Sequence, residues 1–156
     1  MLAHGLAAAS LRPLAKAVGT SDRMLLDYFP DKTALIGAIL ETIAARLSAQ
    51  LVPPADAVPQ PFDALRRQLT TAMLDDALWP YMRLWLEIAS QSAAGDRICR
   101  QTGEAIARGF LAMAASLLDS PDQETRRRDA TRLLIAVEGA VLLRSLGLAE
   151  EVRQTL

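Results

Sequence analysis

Apolar positions recur along most of the chain at helical spacing. They fall at Leu11, Leu14, Ala15 and Val18 and, after an interruption, at Leu25 and Tyr28. That period predicts helices with one buried face. Gly19 stands where the first helix must end, because a chain leaving a helix often passes through positive φ, which glycine adopts cheaply. Thr20 and Ser21 then offer hydroxyls to cap a new helix over about Asp22 to Tyr28. Small Ala15 lies where that helix must cross closely. Pro30 and Asp31 break and restart the chain, and Asp31 can cap a long helix from Lys32 to about Gln50. Leu35, Ile39, Ile43 and Leu47 form its stripe, widened by Ile36 and Leu40.

Four prolines between Pro53 and Pro61 mark a loop and the clearest boundary in the chain. Phe62, Leu65, Leu69, Met73 and Ala77 then trace one helical face. Trp79-Pro80 interrupts it, with Pro80 suited to the first turn of a following helix that runs to about Ala93. Gly95-Asp96 is a stop followed by a cap. Ile98, Thr102, Ile106, Phe110, Met113 and Leu117 form the next stripe. Ser120-Pro121-Asp122-Gln123 reads as a start signal, with Ser120 as cap and Pro121 at the first helical position. The helix it opens becomes apolar all round at residues 133–143, where Glu138 alone is polar. Such a helix must be covered on more than one side, and in a domain this small a second subunit is the expected cover. A short amphipathic segment follows from Leu148. The fold class is all-α.

Composition narrows the function. At 156 residues the chain suits one domain, or a small module with one modest bundle. A hydrophobic share of 51% with only 4% aromatic residues means a core of Ala, Leu, Ile and Met, which favours helix. The net charge of −1 excludes a generally basic coat, so any nucleic-acid contact must come from a local patch. One cysteine, Cys99, and one histidine, His4, leave neither a disulfide framework nor a zinc set. No apolar run approaches the roughly 18–20 residues of a membrane span, and no leader pattern is read at the N-terminus. The expectation is a soluble cytoplasmic protein without cofactor or metal.

Candidate chemistry is sparse. No nucleophile stands beside a base, no phosphate loop is present, and Glu87, Glu104 and Glu138 lack the histidine partners of a di-iron bundle. No enzymatic activity is expected. Arg83 and Glu87 are spaced as a surface pair, and Arg126, Arg127 and Arg128 read as a solvated face. Trp79, Tyr81, Met82, Trp85, Phe110 and Met113 are concentrated enough to line a ligand cavity, although each also suits ordinary core. Glu138 is the polar candidate beside them, as interface hydrogen bond, ligand anchor or protonated core residue.

Read together, SLRPLAKAVGTSDRMLLDYFPDKTAL resembles the DNA-binding signature of the tetracycline-repressor (TetR) family of bacterial transcriptional regulators. Ser10-Leu11-Arg12, Leu14-Ala15, Gly19-Thr20-Ser21, Leu25, Phe29, Lys32 and Leu35 carry the resemblance. It implies a helix-turn-helix segment over residues 1–31 and a helical ligand-binding and dimerisation domain over residues 32–156. It further implies a homodimer that places Asp22–Tyr28 in the major groove of an operator and leaves it when a small-molecule effector binds. Position by position, Arg12 and Lys16 would lie near the DNA backbone, Thr20, Ser21 and Arg23 at the recognition helix, Tyr28 at its end, and Lys32 at a phosphate.

The sequence departs from the family at three points. Leu26 stands where a tyrosine is usual, and Asp27 puts an anion on a surface meant to meet phosphates. The family's first helix should precede Gly5, and only its last residues are expected within the chain. Over residues 1–32, Arg12, Lys16, Arg23 and Lys32 face Asp22, Asp27 and Asp31, a weak local field. The alternative is therefore a ligand-binding and dimerisation module that has lost DNA binding with the loss of that helix.

Overall fold

The computed structural model describes residues 15, 19, 21–29, 34–35, 37–39, 42 and 57–156. Among them six helices follow in order: α1 Asp22–Tyr28, α2 Phe62–Met73, α3 Trp79–Ala93, α4 Arg97–Leu117, α5 Gln123–Ser145 and α6 Ala149–Arg153. No strand occurs among the described residues, and the fold is all-α. Of the two N-terminal helices expected on either side of α1, the described positions Ala15, 34–35, 37–39 and Thr42 are all helical. Ala15 and Leu35 are buried, as a close crossing and an inward stripe require. A Cβ built on Gly37 would lie 3.9 Å from Ile98 Cγ2, so this N-terminal segment reaches the start of α4.

The helix ends follow local chemistry. Gly95 takes φ +98°, and the Asp96 carboxylate accepts the Cys99 backbone N–H at 2.8 Å, the stop and cap read from the sequence. The face expected to run on to Ala77 stops at Met73. There the Asp75 carboxylate takes the Ala77 N–H at 2.7 Å, offering the backbone a turn in place of helix. Pro80 then falls in the first turn of α3, where its missing N–H costs little.

The start of α5 corrects the expected cap. Asp122, not Ser120, is the N-cap, accepting from Thr125 N at 2.8 Å and from Thr125 Oγ1 at 2.9 Å. A carboxylate is the better acceptor at the positive end of a helix, and the Thr125 hydrogen bonds, the backbone one foremost, hold the Asp122 pKa below the usual range. Ser120 is buried instead, its hydroxyl 3.3 Å from Asp129 Oδ2. Ahead of α2, Gln60 pairs with the segment closing α4: its N–H donates to Leu117 O at 2.7 Å, and its carbonyl accepts from Asp119 N at 2.8 Å.

The central position of α5 explains its apolar sequence. It packs on α2, α4 and α6 and touches α3 lightly, while α3 lies mainly on α4. Leu65 and Leu69 from α2, Met82 from α3, Ala114 from α4 and Leu133 and Val137 from α5 meet in one core. Each fully buried leucine contributes about 2 kcal/mol of burial. The α2 stripe is the buried face as read. Along α4 the expected stripe is mostly half-buried, and the deepest residues beside Leu117 are Cys99 and Ala114. Small Ala114, with no exposed surface, lets α4 approach the core closely. Among the described residues no helix is long and apolar enough to cross a membrane, and no group of His, Cys, Asp and Glu is arranged to hold a metal ion.

Candidate nucleic-acid interface and effector region

The turn before α1 is built by Gly19 at φ +72°, a left-handed conformation that an L side chain would strain. Two residues on, Ser21 Oγ accepts the Met24 N–H at 3.2 Å and caps α1. Together these local devices aim the short helix. Arg23, Met24, Asp27 and Tyr28 are exposed on it, with Tyr28 78% exposed, and Phe29 at its end is half-buried. Of the residues expected at DNA, Ser21, Arg23 and Tyr28 are thus exposed, while Arg12, Lys16, Thr20 and Lys32 lie outside the described residues. The helix itself carries Asp22, Arg23 and Asp27 and adds no net positive charge. Any attraction to phosphates would have to come from residues that flank it in sequence.

The residues expected at a ligand cavity divide into three groups. Met82 is core, and Tyr81, Phe110 and Met113 pack half-buried against that core. Trp79 lies under a cation, with the Arg144 guanidinium 4.2 Å from its ring centroid. Trp85 and Glu138 meet directly, the indole Nε1–H donating to Glu138 Oε2 at 2.6 Å. Burial raises the Glu138 pKa above the usual carboxylate value, and the indole hydrogen bond opposes that rise in part. The other edge of Trp85 lines an open groove of about 420 Å³ between α3 and α4, with Ile88, Gly103, Glu104 and Ala107 among its walls. At Gly103 α4 comes within ordinary contact of α3: a Cβ on it would sit 3.6 Å from Ile88 Cγ2 and 3.8 Å from the Trp85 ring.

Two polar arrangements were not read from the sequence. Arg144, near the end of α5, donates to the Leu74 carbonyl at the end of α2 and to Asp76 Oδ1 at 2.6 Å, while stacking on Trp79. It is the one cation at residues 133–145, which was a signal for an inward role. Arg126 departs from the solvated face expected of residues 126–128. It is half-buried, its Nη2 donates to Ser120 O at 3.2 Å, and its buried Nε has no partner among the described residues. Arg127 and Arg128 are exposed, as is Arg83, whereas Glu87 is half-buried.

Comparison with curated proteins and with solved structures gave no significant match. Residues 1–39, a quarter of the chain, match the family model described as bacterial regulatory proteins, tetR family. The match spans Gly19, the Ser21 cap and the whole of α1, so the N-terminal segment is similar to the DNA-binding segment of TetR-family transcriptional regulators.

Proposed function

We propose that the protein is a ligand-responsive transcriptional repressor, a cytoplasmic homodimer released from its operator by a small molecule. Residues 1–31 form the DNA-reading segment in this proposal, and residues 32–156 the effector-binding and dimerisation domain. The observation that carries it is the left-handed turn at Gly19 leading into the Ser21-capped helix Asp22–Tyr28, with Arg23 and Tyr28 exposed. A short capped helix with an outward polar face is what major-groove reading requires. Arg12, Lys16, Thr20 and Lys32 flank it as phosphate and recognition-helix contacts.

The effector enters beside Trp85 and Glu138. Ring surface there gives affinity, and a carboxylate with one indole partner gives orientation. Tyr81, Phe110 and Met113 are the half-buried residues able to re-pack around it, and Trp79 and Met82 support them. A homodimer is favoured by Ile135 and Leu142, exposed apolar residues that share one face of α5, and by exposed Leu146 at its C-cap. Sedimentation of Ile135→Glu tests it: a monomer is expected from the variant and a dimer from the parent, and a monomeric parent overturns this part.

A second reading, a ligand-binding and dimerisation module without DNA binding, is favoured by exposed Asp27 on the helix that would meet phosphates. Fluorescence anisotropy with duplex from the gene's own upstream region separates the two. The repressor reading expects salt-dependent binding that a scrambled duplex does not compete away. Equal binding to both duplexes, or none, leaves the second reading.

A further inference from the structure

α2, α5 and α6 enclose a groove of about 390 Å³, on a different face of α5 from Glu138. Its walls are aliphatic, with Ile135 (also on the exposed apolar face proposed for dimerisation), Gly139, Ala140 and Leu143 from α5, Val152 from α6 and Leu148 ahead of it, and among the described residues no aromatic ring lines it. A Cβ on Gly139 would meet nothing within 4 Å, so the wall has room beside the helix.

One end of the groove is polar. Arg66 and Thr70 stand one turn apart on α2 and so share a face. Thr70 is 2% exposed and its hydroxyl has no hydrogen-bond partner among the described residues, an uncommon state for a buried hydroxyl. Among the described residues the Arg66 guanidinium is held only at long range. Nη2 lies 3.5 Å from Thr155 O and Nε 3.7 Å from Asp63 Oδ1, against roughly 2.7–2.9 Å for a charge-assisted bond. Glu151 also borders the groove but is exposed, where water and salt screen its charge.

The geometry points to a binding site for a slender aliphatic carboxylate. Its head group accepts from the Arg66 guanidinium and the Thr70 hydroxyl, and its alkyl chain lies along Gly139, Ala140 and Leu143 toward Val152. The guanidinium selects an anion over a neutral head, and the narrow aliphatic walls select a chain over a flat ring. This site is separate from the Trp85–Glu138 region and does not depend on DNA binding.

Calorimetric titration of the full chain with decanoate, kept below its micellar concentration, tests it alongside decanol. Saturable binding of one decanoate per chain is expected, with decanol about tenfold weaker for want of the charge. Arg66→Gln should weaken decanoate about tenfold and leave decanol unchanged, Thr70→Val should weaken decanoate a few-fold, and Gly139→Leu should abolish binding of both. Thermal melts check that each variant is folded, and the decanoate-to-decanol ratio in the parent decides the matter should Gly139→Leu fail to fold. Absence of saturable binding overturns the proposal. So does an affinity indifferent to Arg66→Gln. Sedimentation provides the last arm: a parent dimer that binds no decanoate and that Gly139→Leu converts to monomer assigns the groove to a second copy of the chain.

Discussion

The indole N–H of Trp85 donates to Glu138 Oε2 at 2.6 Å, a polar link between α3 and α5, helices that otherwise touch lightly. Burial raises the Glu138 pKa above its ordinary value of 4.5. The folded state therefore holds this proton to higher pH than the unfolded chain does. By linkage, Glu138 costs nothing below the unfolded value and subtracts stability as pH rises through and above it. Glu138→Gln keeps an acceptor for Trp85 and removes the charge. Its melting temperature relative to the parent should rise between about pH 4 and about pH 8. A difference that stays constant over that range would show that the carboxylate is solvated in the folded state.

Arg144 should be worth far more than its exposed ion pair. Its side chain is 11% exposed, whereas that of Asp76 is 99% exposed, so the pair itself contributes little. The Leu74 carbonyl that Arg144 caps belongs to a buried residue, and the Trp79 ring beneath adds a cation–π contact. Arg144→Ala should cost about 2–4 kcal/mol through the orphaned carbonyl and the lost stacking, and Asp76→Ala about 0–0.5 kcal/mol. Urea denaturation of both variants measures the ratio. Equal losses would shift the weight to the ion pair.

What the sequence made legible, and what it hid, follows from the range of each interaction. Gly95 with Asp96 and Gly19 with Ser21 were readable because a cap and a positive φ are settled within four residues. The α2 stripe was readable because periodicity names the buried face. Periodicity does not say what covers that face. Trp79 reads as a cavity residue until Arg144, distant in sequence, is placed over it. Near residue 120 the difficulty was competition between two good caps: Ser120 and Asp122 both suit the role, and burial of Ser120 against Asp129 decided for the aspartate. The groove at Arg66 and Thr70 joins three helices and left no local trace.

Cys99 should be a slow nucleophile. Burial chiefly, then the Asp96 charge and a hydrogen bond to its carboxylate, push the thiol pKa up to about 11. Near neutral pH almost no thiolate forms, and the thiolate is the reactive species. Labelling with a disulfide reagent should be much slower in the native protein than in urea. Asp96→Ala removes the α4 cap and the neighbouring charge together, so it should lower stability by about 1 kcal/mol while speeding labelling. Native labelling as fast as that of the unfolded chain would contradict the buried position.

On α1 the exposed Arg23 and Asp27 make opposite predictions for the proposed DNA contact. Arg23 is the one cation on the helix, and Arg23→Ala should cost about 1–3 kcal/mol of specific binding while relaxing sequence preference. Asp27 repels phosphates, so Asp27→Asn should tighten binding by about two- to fivefold at low salt, and the gain should shrink as salt is raised. Anisotropy at two salt concentrations, with upstream and scrambled duplexes, reads both effects. An Arg23→Ala variant that keeps full sequence preference would move recognition off α1. A salt-independent gain from Asp27→Asn would mean that the residue acts on folding of the helix and not on the approach of the phosphates.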